Sequence, residues 1–131
     1  MILDTDFLIS LRAAEDGAIA LAAELEADNV PTRLPTIVVQ ELFAGVGAGA
    51  DRVENARDFE ALVANTPVVP LDGHIARRAG VLEGRHLASD ERPTLGPGDA
   101  IVAATALVHD ESVVTNDEDF AAVDGLRVTP Y

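Results

Sequence analysis

Met1-Ile2-Leu3-Asp4-Thr5-Asp6-Phe7-Leu8-Ile9 opens the chain with an apolar run that breaks into two carboxylates and then turns apolar again. The pattern reads as a buried β-strand over residues 1–5 that delivers acids at its carboxyl end, then a short helix from Asp6 or Phe7 to about Arg12. In an open α/β sheet the carboxyl ends of the strands form the ligand crevice. Three further acids, Glu41, Asp99 and Asp117, recur at the starts or early turns of later elements. Carboxylates that converge in space are how proteins hold Mg²⁺ or Mn²⁺, hard cations that prefer oxygen ligands.

Working outward, Ala18, Leu21, Ala22 and Leu25 mark an amphipathic helix, and residues 30–34 a weak strand interrupted by Pro31. Pro35-Thr36 starts another helix, with Thr36 as its N-cap and Gly45, Gly47 and Gly49 ending it. Val53, Ala56, Phe59 and Val63 give the next helix. A short buried strand at 67–71 follows, then a helix marked by Ile75, Ala79 and Leu82 that reaches Leu87. Residues 88–98 are turn formers and read as an exposed loop. Asp99 opens an alanine-rich helix to about His109, and strands follow at 112–115 and 126–129. Short strands alternating with helices predict an α/β fold: one domain spanning 1–131, with a central parallel sheet of four to five strands and helices on both faces.

With 131 residues, 48% of them hydrophobic, the chain fits one domain with material for a core. It has no cysteine, which excludes disulfides, zinc–thiolate sites and thiol nucleophiles. No apolar stretch approaches the roughly 20 residues of a membrane span, and the acidic pair interrupts any signal-like start, so cytoplasmic residence is expected. The formal net charge is −14, and all nine basic residues are arginine. Such self-repulsion is a device of halophiles, for at about 1 M salt the Debye length falls to about 3 Å. Missing lysine and abundant alanine point the same way, to a salt-loving host.

Each acid also has an ordinary explanation. Asp4 follows Ile2-Leu3 where a bare carboxylate is expensive to bury, yet it could cap a helix, and Asp6 more readily still. Glu41 lies among Ile37, Val38, Val39, Leu42 and Phe43, but could occupy an exposed helical stripe. Asp99 follows Gly96-Pro97-Gly98 at a helix N-terminus, where the macrodipole favours an anion anyway. Asp117 and Asp119 follow a strand, in a turn or short helix.

The combination is more specific. Leu3-Asp4-Thr5-Asp6-Phe7-Leu8, Thr36-Ile37-Val38-Val39-Gln40-Glu41-Leu42, Gly98-Asp99-Ala100-Ile101-Val102-Ala103-Ala104-Thr105-Ala106 and Val114-Thr115-Asn116-Asp117-Glu118-Asp119-Phe120 closely resemble the signatures of PIN-domain ribonucleases. Within that family the length and layout are most similar to the toxins of VapBC toxin–antitoxin pairs. The resemblance runs end to end, including Gly125-Leu126-Arg127-Val128. It implies that Asp4, Glu41, Asp99 and Asp117 hold one or two Mg²⁺ or Mn²⁺ ions for hydrolysis of RNA phosphodiesters. Thr5, Thr115 and Asn116 match positions that give orienting hydrogen bonds. Asp6 departs from the asparagine or serine common in the family, so Asp6, with Asp119, is a secondary candidate. A homodimer and a cognate VapB-like antitoxin are implied as partners. The antitoxin tail is expected to lie on apolar surface of helices near 8–25 and 37–65 and to place an arginine among the acids.

Two rivals differ in class. Asp4-Thr5-Asp6 also resembles the nucleophile and general-acid pair of haloacid-dehalogenase-like phosphatases, with Asp4 attacking phosphate. That family adds threonine or valine where this chain has Leu8, and holds phosphate with a lysine that is absent here. The other rival is a catalytically inactive PIN-like binding module, against which the intact set of four acids stands. The histidines need no catalytic role: His86 reads as a partly buried packing residue, His74 and His109 as surface. Arg12, Arg77, Arg78, Arg85 and Arg92 could line a path for a nucleic-acid backbone.

Overall fold

β1 is Ile2–Leu3, buried on both faces in the computed structural model, which describes residues 1–131. It pairs in parallel with β4 (Val113–Val114), which pairs with β5 (Val128–Thr129). β2 (Leu34–Pro35) pairs in parallel with β3 (Val68–Val69). A parallel bridge from Ile2 to Arg33 joins the two groups into the order β3-β2-β1-β4-β5. Five parallel strands therefore form the expected α/β sheet. Each strand is two residues long; β1 is followed by Asp4, and β3 and β5 by prolines that cannot continue the ladder.

The helices are α1 (Thr5–Arg12), α2 (Asp16–Ala27), α3 (Thr36–Ala48), α4 (Arg52–Val63), α5 (Gly73–Leu87) and α6 (Pro97–His109), with a 3₁₀ turn at Glu118–Ala122. α1 to α4 contact one another, while α5 packs along α6, which lies on β1, β2 and β4. In α6 the buried residues are Ala100, Val102, Ala103, Ala104, Thr105 and Ala106, small enough for sheet and α5 to approach together. Thr105 satisfies its hydroxyl on the Ile101 carbonyl at 2.7 Å. Phe7, Phe120, Ile2, Leu34 and Leu42 are the large buried side chains, each worth roughly 1.5–3 kcal/mol of burial.

Three local expectations are corrected. α3 is not capped by Thr36: Pro35 holds the N-cap position, and the Thr36 hydroxyl accepts instead from Leu71 N–H at 3.1 Å, tying α3 to the end of β3. Gly45 and Gly47 do not end α3, which runs through them to Ala48, since Val46 between them packs into the core. The 88–98 stretch is not wholly exposed: Leu95 is 1% exposed, and His86, itself 1% exposed, holds the Pro93 carbonyl through Nδ1 at 2.9 Å. His86 is thus a fully buried packing residue, while His74 and His109 lie on the surface.

Candidate active site

Strand order reverses at β1, with β2 and β3 on one side and β4 and β5 on the other. Such a reversal opens a crevice at the carboxyl ends of the strands, because successive connections leave to opposite faces. β1 runs into Asp4 and β4 runs into Thr115, so both strands feed this crevice.

Asp4 spans the two. Its Oδ1 accepts from Thr5 N–H at 2.7 Å, which makes Asp4 the N-cap of α1, and its Oδ2 accepts from Thr115 Oγ1 at 2.9 Å. Thr115 Oγ1 accepts in turn from Asp117 N–H at 3.1 Å. Asp117 caps the 3₁₀ turn, its Oδ1 accepting from Asp119 N–H at 2.9 Å. One threonine hydroxyl thus links Asp4 to the loop that carries Asp117. The cap role expected more of Asp6 belongs to Asp4, and Asp6 is exposed in the first turn of α1.

Glu41 reaches the same place from α3, whose Val38, Leu42 and Val46 face the core and leave Glu41 half-buried beside them. Thr5 Oγ1 donates to Glu41 Oε2. Across from it is Gly98 in the first turn of α6, where any Cβ would collide with Glu41 Oε1. Asp99 follows directly and is half-buried; α6 begins at Pro97, two residues before the expected start, with Gly96 as N-cap. Asn116 makes no hydrogen bond to the acids. It exchanges two hydrogen bonds with the backbone of Tyr131, at 2.8 and 2.9 Å, so its orienting role is exerted on the chain after β5.

The charges feel one another. Burial pushes the Asp4 carboxyl up to about 6 against the opposing pull of its Thr115 and Thr5 hydrogen bonds, and the charges of Asp6 and Asp99 add to the rise. Asp99 is also raised, by burial first and then by Asp117, Glu41, Asp119 and Asp6. Asp4, Glu41 and Asp117, with Asp6 and Asp119, therefore lie within Coulomb range of Asp99. No three stand close enough to enclose one ion between them as placed. The donor set is carboxylate oxygen only, which fits Mg²⁺ or Mn²⁺ and not a soft metal.

Sequence reading missed the Thr5–Glu41 bond and the role of Gly98. The second had a visible signal, a glycine directly before a candidate acid at a helix start. Tyr131 was also missed: its ring packs edge-on against Phe7 at 4.9 Å and its hydroxyl lies 3.3 Å from Ser10 Oγ. Burial raises its phenol, and the charges of Asp6 and Asp4 add to that.

Beside this crevice, α1, α2 and α4 enclose an apolar cleft of about 350 Å³ lined by Leu3, Phe7, Leu8, Leu11, Leu25 and Leu62 among others. No helix is long and apolar enough to cross a membrane.

Comparison with known proteins bears on what the crevice does. A PIN domain profile matches residues 1–126. Ribonuclease VapC5 of Mycobacterium tuberculosis is 35% identical over 128 residues, covering 95% of this chain and 87% of that protein. Among solved structures, VapBC-5 of Mycobacterium tuberculosis, a member of the VapBC family of toxin–antitoxin systems, superposes with a TM-score of 0.71 at 30% identity, covering 98% of this chain and 94% of that one. VapBC2 of Rickettsia felis, bound to a promoter DNA fragment, superposes with a TM-score of 0.87 at 18% identity, covering 98% and 96%. The second likeness concerns the fold alone.

Proposed function

The chain belongs to the PIN-domain family, and from that premise we propose that it is a metal-dependent endoribonuclease acting as the toxin of a VapBC-type pair. The observation that carries the reading is that burial raises the Asp4 and Asp99 carboxyls, with Asp99 adding to the rise of Asp4 and Asp117 and Glu41 adding to that of Asp99. A buried, uncompensated carboxylate costs free energy, and a divalent cation offsets that cost.

Asp4, Asp99, Glu41 and Asp117 would hold the ion or ions. When bound, Mg²⁺ or Mn²⁺ supplies a water of lowered pKa and positive charge against the phosphoryl oxygens. The chain's own residues do the positioning. Thr115 and the Thr5 amide fix both oxygens of Asp4, so this carboxylate enters the reaction without reorganising. Thr5 aims Glu41 across the crevice, and Gly98 leaves room for it. Asp6 and Asp119, nearer the rim, add negative charge that favours cation entry. Membership in the PIN family sets aside the phosphatase reading, and Asp4 serves here as a ligand rather than a nucleophile.

For partners we propose a VapB-like antitoxin, whose tail would occupy the apolar cleft of α1, α2 and α4 and extend an arginine towards the acids. We also propose a homodimer working in the cytoplasm. The −14 charge is read as adaptation to a salty host. The test is cleavage of RNA by the purified protein with Mg²⁺ or Mn²⁺ and with chelator, beside Asp4→Ala and Asp99→Asn. Co-expression with the neighbouring small gene should give an inactive complex. Metal-independent cleavage, or cleavage unaffected by Asp4→Ala, overturns the reading.

A further inference from the structure

An acidic protein that binds RNA needs somewhere to receive phosphates, and the arginines of this chain are unevenly employed. Arg12, Arg33, Arg92 and Arg127 are neutralised in ion pairs with Asp58, Glu111, Asp124 and Asp110, and Arg52 donates to the Gly49 carbonyl. Arg57, Arg77, Arg78 and Arg85 take part in no ion pair. Three of those four lie on α5.

α5 buries Ile75, Ala79, Leu82 and His86. Beside that stripe, His74, Arg77, Arg78, Val81 and Arg85 are all exposed and fall within about a third of the helix circumference at 100° per residue. Together with Leu82 they line a shallow cleft of about 280 Å³. The only acid within α5 is Glu83, which projects to the other side by the same helical spacing. Asp72 is near enough to feel Arg77, but its carboxylate is engaged in capping the His74 and Ile75 amides. Asp124 feels Arg85 but is paired with Arg92.

The stripe also starts in the right place. α5 follows β3 directly, so its His74 end lies at the carboxyl edge of the sheet, where β1 delivers Asp4. Thr36, at the start of the helix that carries Glu41, is bonded to Leu71 just ahead of α5. From His74 to Arg85 is 11 residues, or about 16 Å of helix at about 1.5 Å each, the length of roughly four to five stacked nucleotides at about 3.4 Å. Gly80 and Gly84, with nothing within 4 Å of where a Cβ would stand, leave the adjoining flank open.

We propose that this stripe is the track on which the phosphodiester backbone of single-stranded RNA lies as it leads into the acidic crevice, with Arg77, Arg78 and Arg85 each meeting a phosphate. The proposal rests on the ribonuclease reading and adds to it the surface that overcomes the net repulsion.

The test is RNA binding by fluorescence anisotropy across a salt series in Mg²⁺, with a single-stranded oligoribonucleotide and an Asp99→Asn background that keeps the RNA whole. Each phosphate contact on a single strand contributes about 0.7 to the slope of log affinity on log salt, so Arg77→Gln/Arg78→Gln/Arg85→Gln should flatten it by about 2. Between 50 and 200 mM salt the parent then loses about twentyfold more affinity than the triple variant, since four to the power of about 2.1 is about 18. Lysine at the same three positions should restore the slope, because a point charge suffices. With Asp99 intact, the triple variant should raise KM and hold kcat. Arg57→Gln, an unpaired arginine on α4, should leave the slope as it is. A triple variant with the parent's slope, or Arg57→Gln with the same loss per charge, overturns the proposal. So does a triple variant that binds RNA normally and fails only to bind the antitoxin, which would make the stripe a protein contact. A protein that neither binds nor cleaves RNA with all its arginines in place overturns the ribonuclease reading itself, and the stripe with it.

Discussion

Replacing Asp4 by asparagine should make the metal-free protein more stable at neutral pH, although it removes the acid at the centre of the site. The carboxyl is held at about 6 in the fold against 3.8 in the unfolded chain, so the folded state binds the proton more tightly. Stability from this group is fully present below about pH 4 and is lost as pH rises through about 6. The difference of about 2.2 units is worth about 3 kcal/mol at about 1.36 kcal/mol each. Asparagine escapes that loss at a smaller cost of its own. Its Oδ1 can keep the Thr5 amide, and its NH₂ can donate to Thr115 Oγ1, which already accepts from Asp117 N–H. The Thr115 hydroxyl hydrogen then loses its carboxylate, at a cost of about 1 kcal/mol. The net gain is about 1–2 kcal/mol at pH 7.5, or roughly 3–10 °C in Tm for a domain of this size. Denaturant unfolding with EDTA at pH 4 and pH 7.5 measures it. The gain should vanish at pH 4, and Mn²⁺ should raise Tm for the wild type while leaving the variant nearly unmoved. A variant no more stable than wild type at pH 7.5, or equally favoured at pH 4, refutes the account of Asp4 as a buried charge whose hydrogen bonds do not offset its desolvation.

Gly98→Ala should cut RNA cleavage by at least about tenfold with Tm within about 2 °C of wild type, because the added methyl meets the end of the flexible Glu41 side chain rather than backbone. An active variant would remove Glu41 from the site. Thr115→Val leaves Asp4 Oδ2 and Asp117 N–H without their shared partner and should destabilise by about 1–3 kcal/mol. It also removes a bond that lowers the Asp4 carboxyl, so the acid limb of the pH–cleavage profile should move to higher pH; a limb that stays put separates Asp4 from that limb. Tm should rise from about 0.1 to about 2 M KCl as the Debye length shrinks from about 10 Å to below 3 Å, and a flat profile ends the halophilic reading without touching the site.

The four candidate acids stood out in the sequence only in combination, because each alone has an ordinary explanation. Asp4 ends an apolar strand, Glu41 interrupts an apolar helix face, and Asp99 and Asp117 stand where strand or loop turns into helix. The parallel order was legible from the alternation of elements. What escaped were interactions between residues far apart in the chain. Thr36 looks like an N-cap from its neighbours, but its hydroxyl is claimed by Leu71, 35 residues away. The 88–98 stretch has the composition of a loop, yet Leu95 is buried in the core, which local composition does not reveal. Gly45 and Gly47 weaken a helix by roughly 1 kcal/mol each, and tertiary burial of Val38, Leu42 and Val46 outweighs that.

The same contrast explains how the site withstands its own charge. Asp4 alone would be expelled or protonated, and burial does push it towards protonation. Its two hydrogen bonds oppose that push, one from the first residue of α1 and one from Thr115 directly after β4, the parallel partner of β1. Glu41 is restrained by Thr5, the residue after Asp4, so a single turn of backbone orients two of the four acids. Asp99 has no such restraint. It is raised by burial first and then by four neighbouring acids, so a cation beside it would relieve repulsion from all of them. Asp99→Asn should therefore weaken metal binding more than it alters the fold. Titration of Mn²⁺ by calorimetry beside metal-free Tm separates the two effects, and a variant that binds Mn²⁺ as tightly as wild type would remove Asp99 from the metal site.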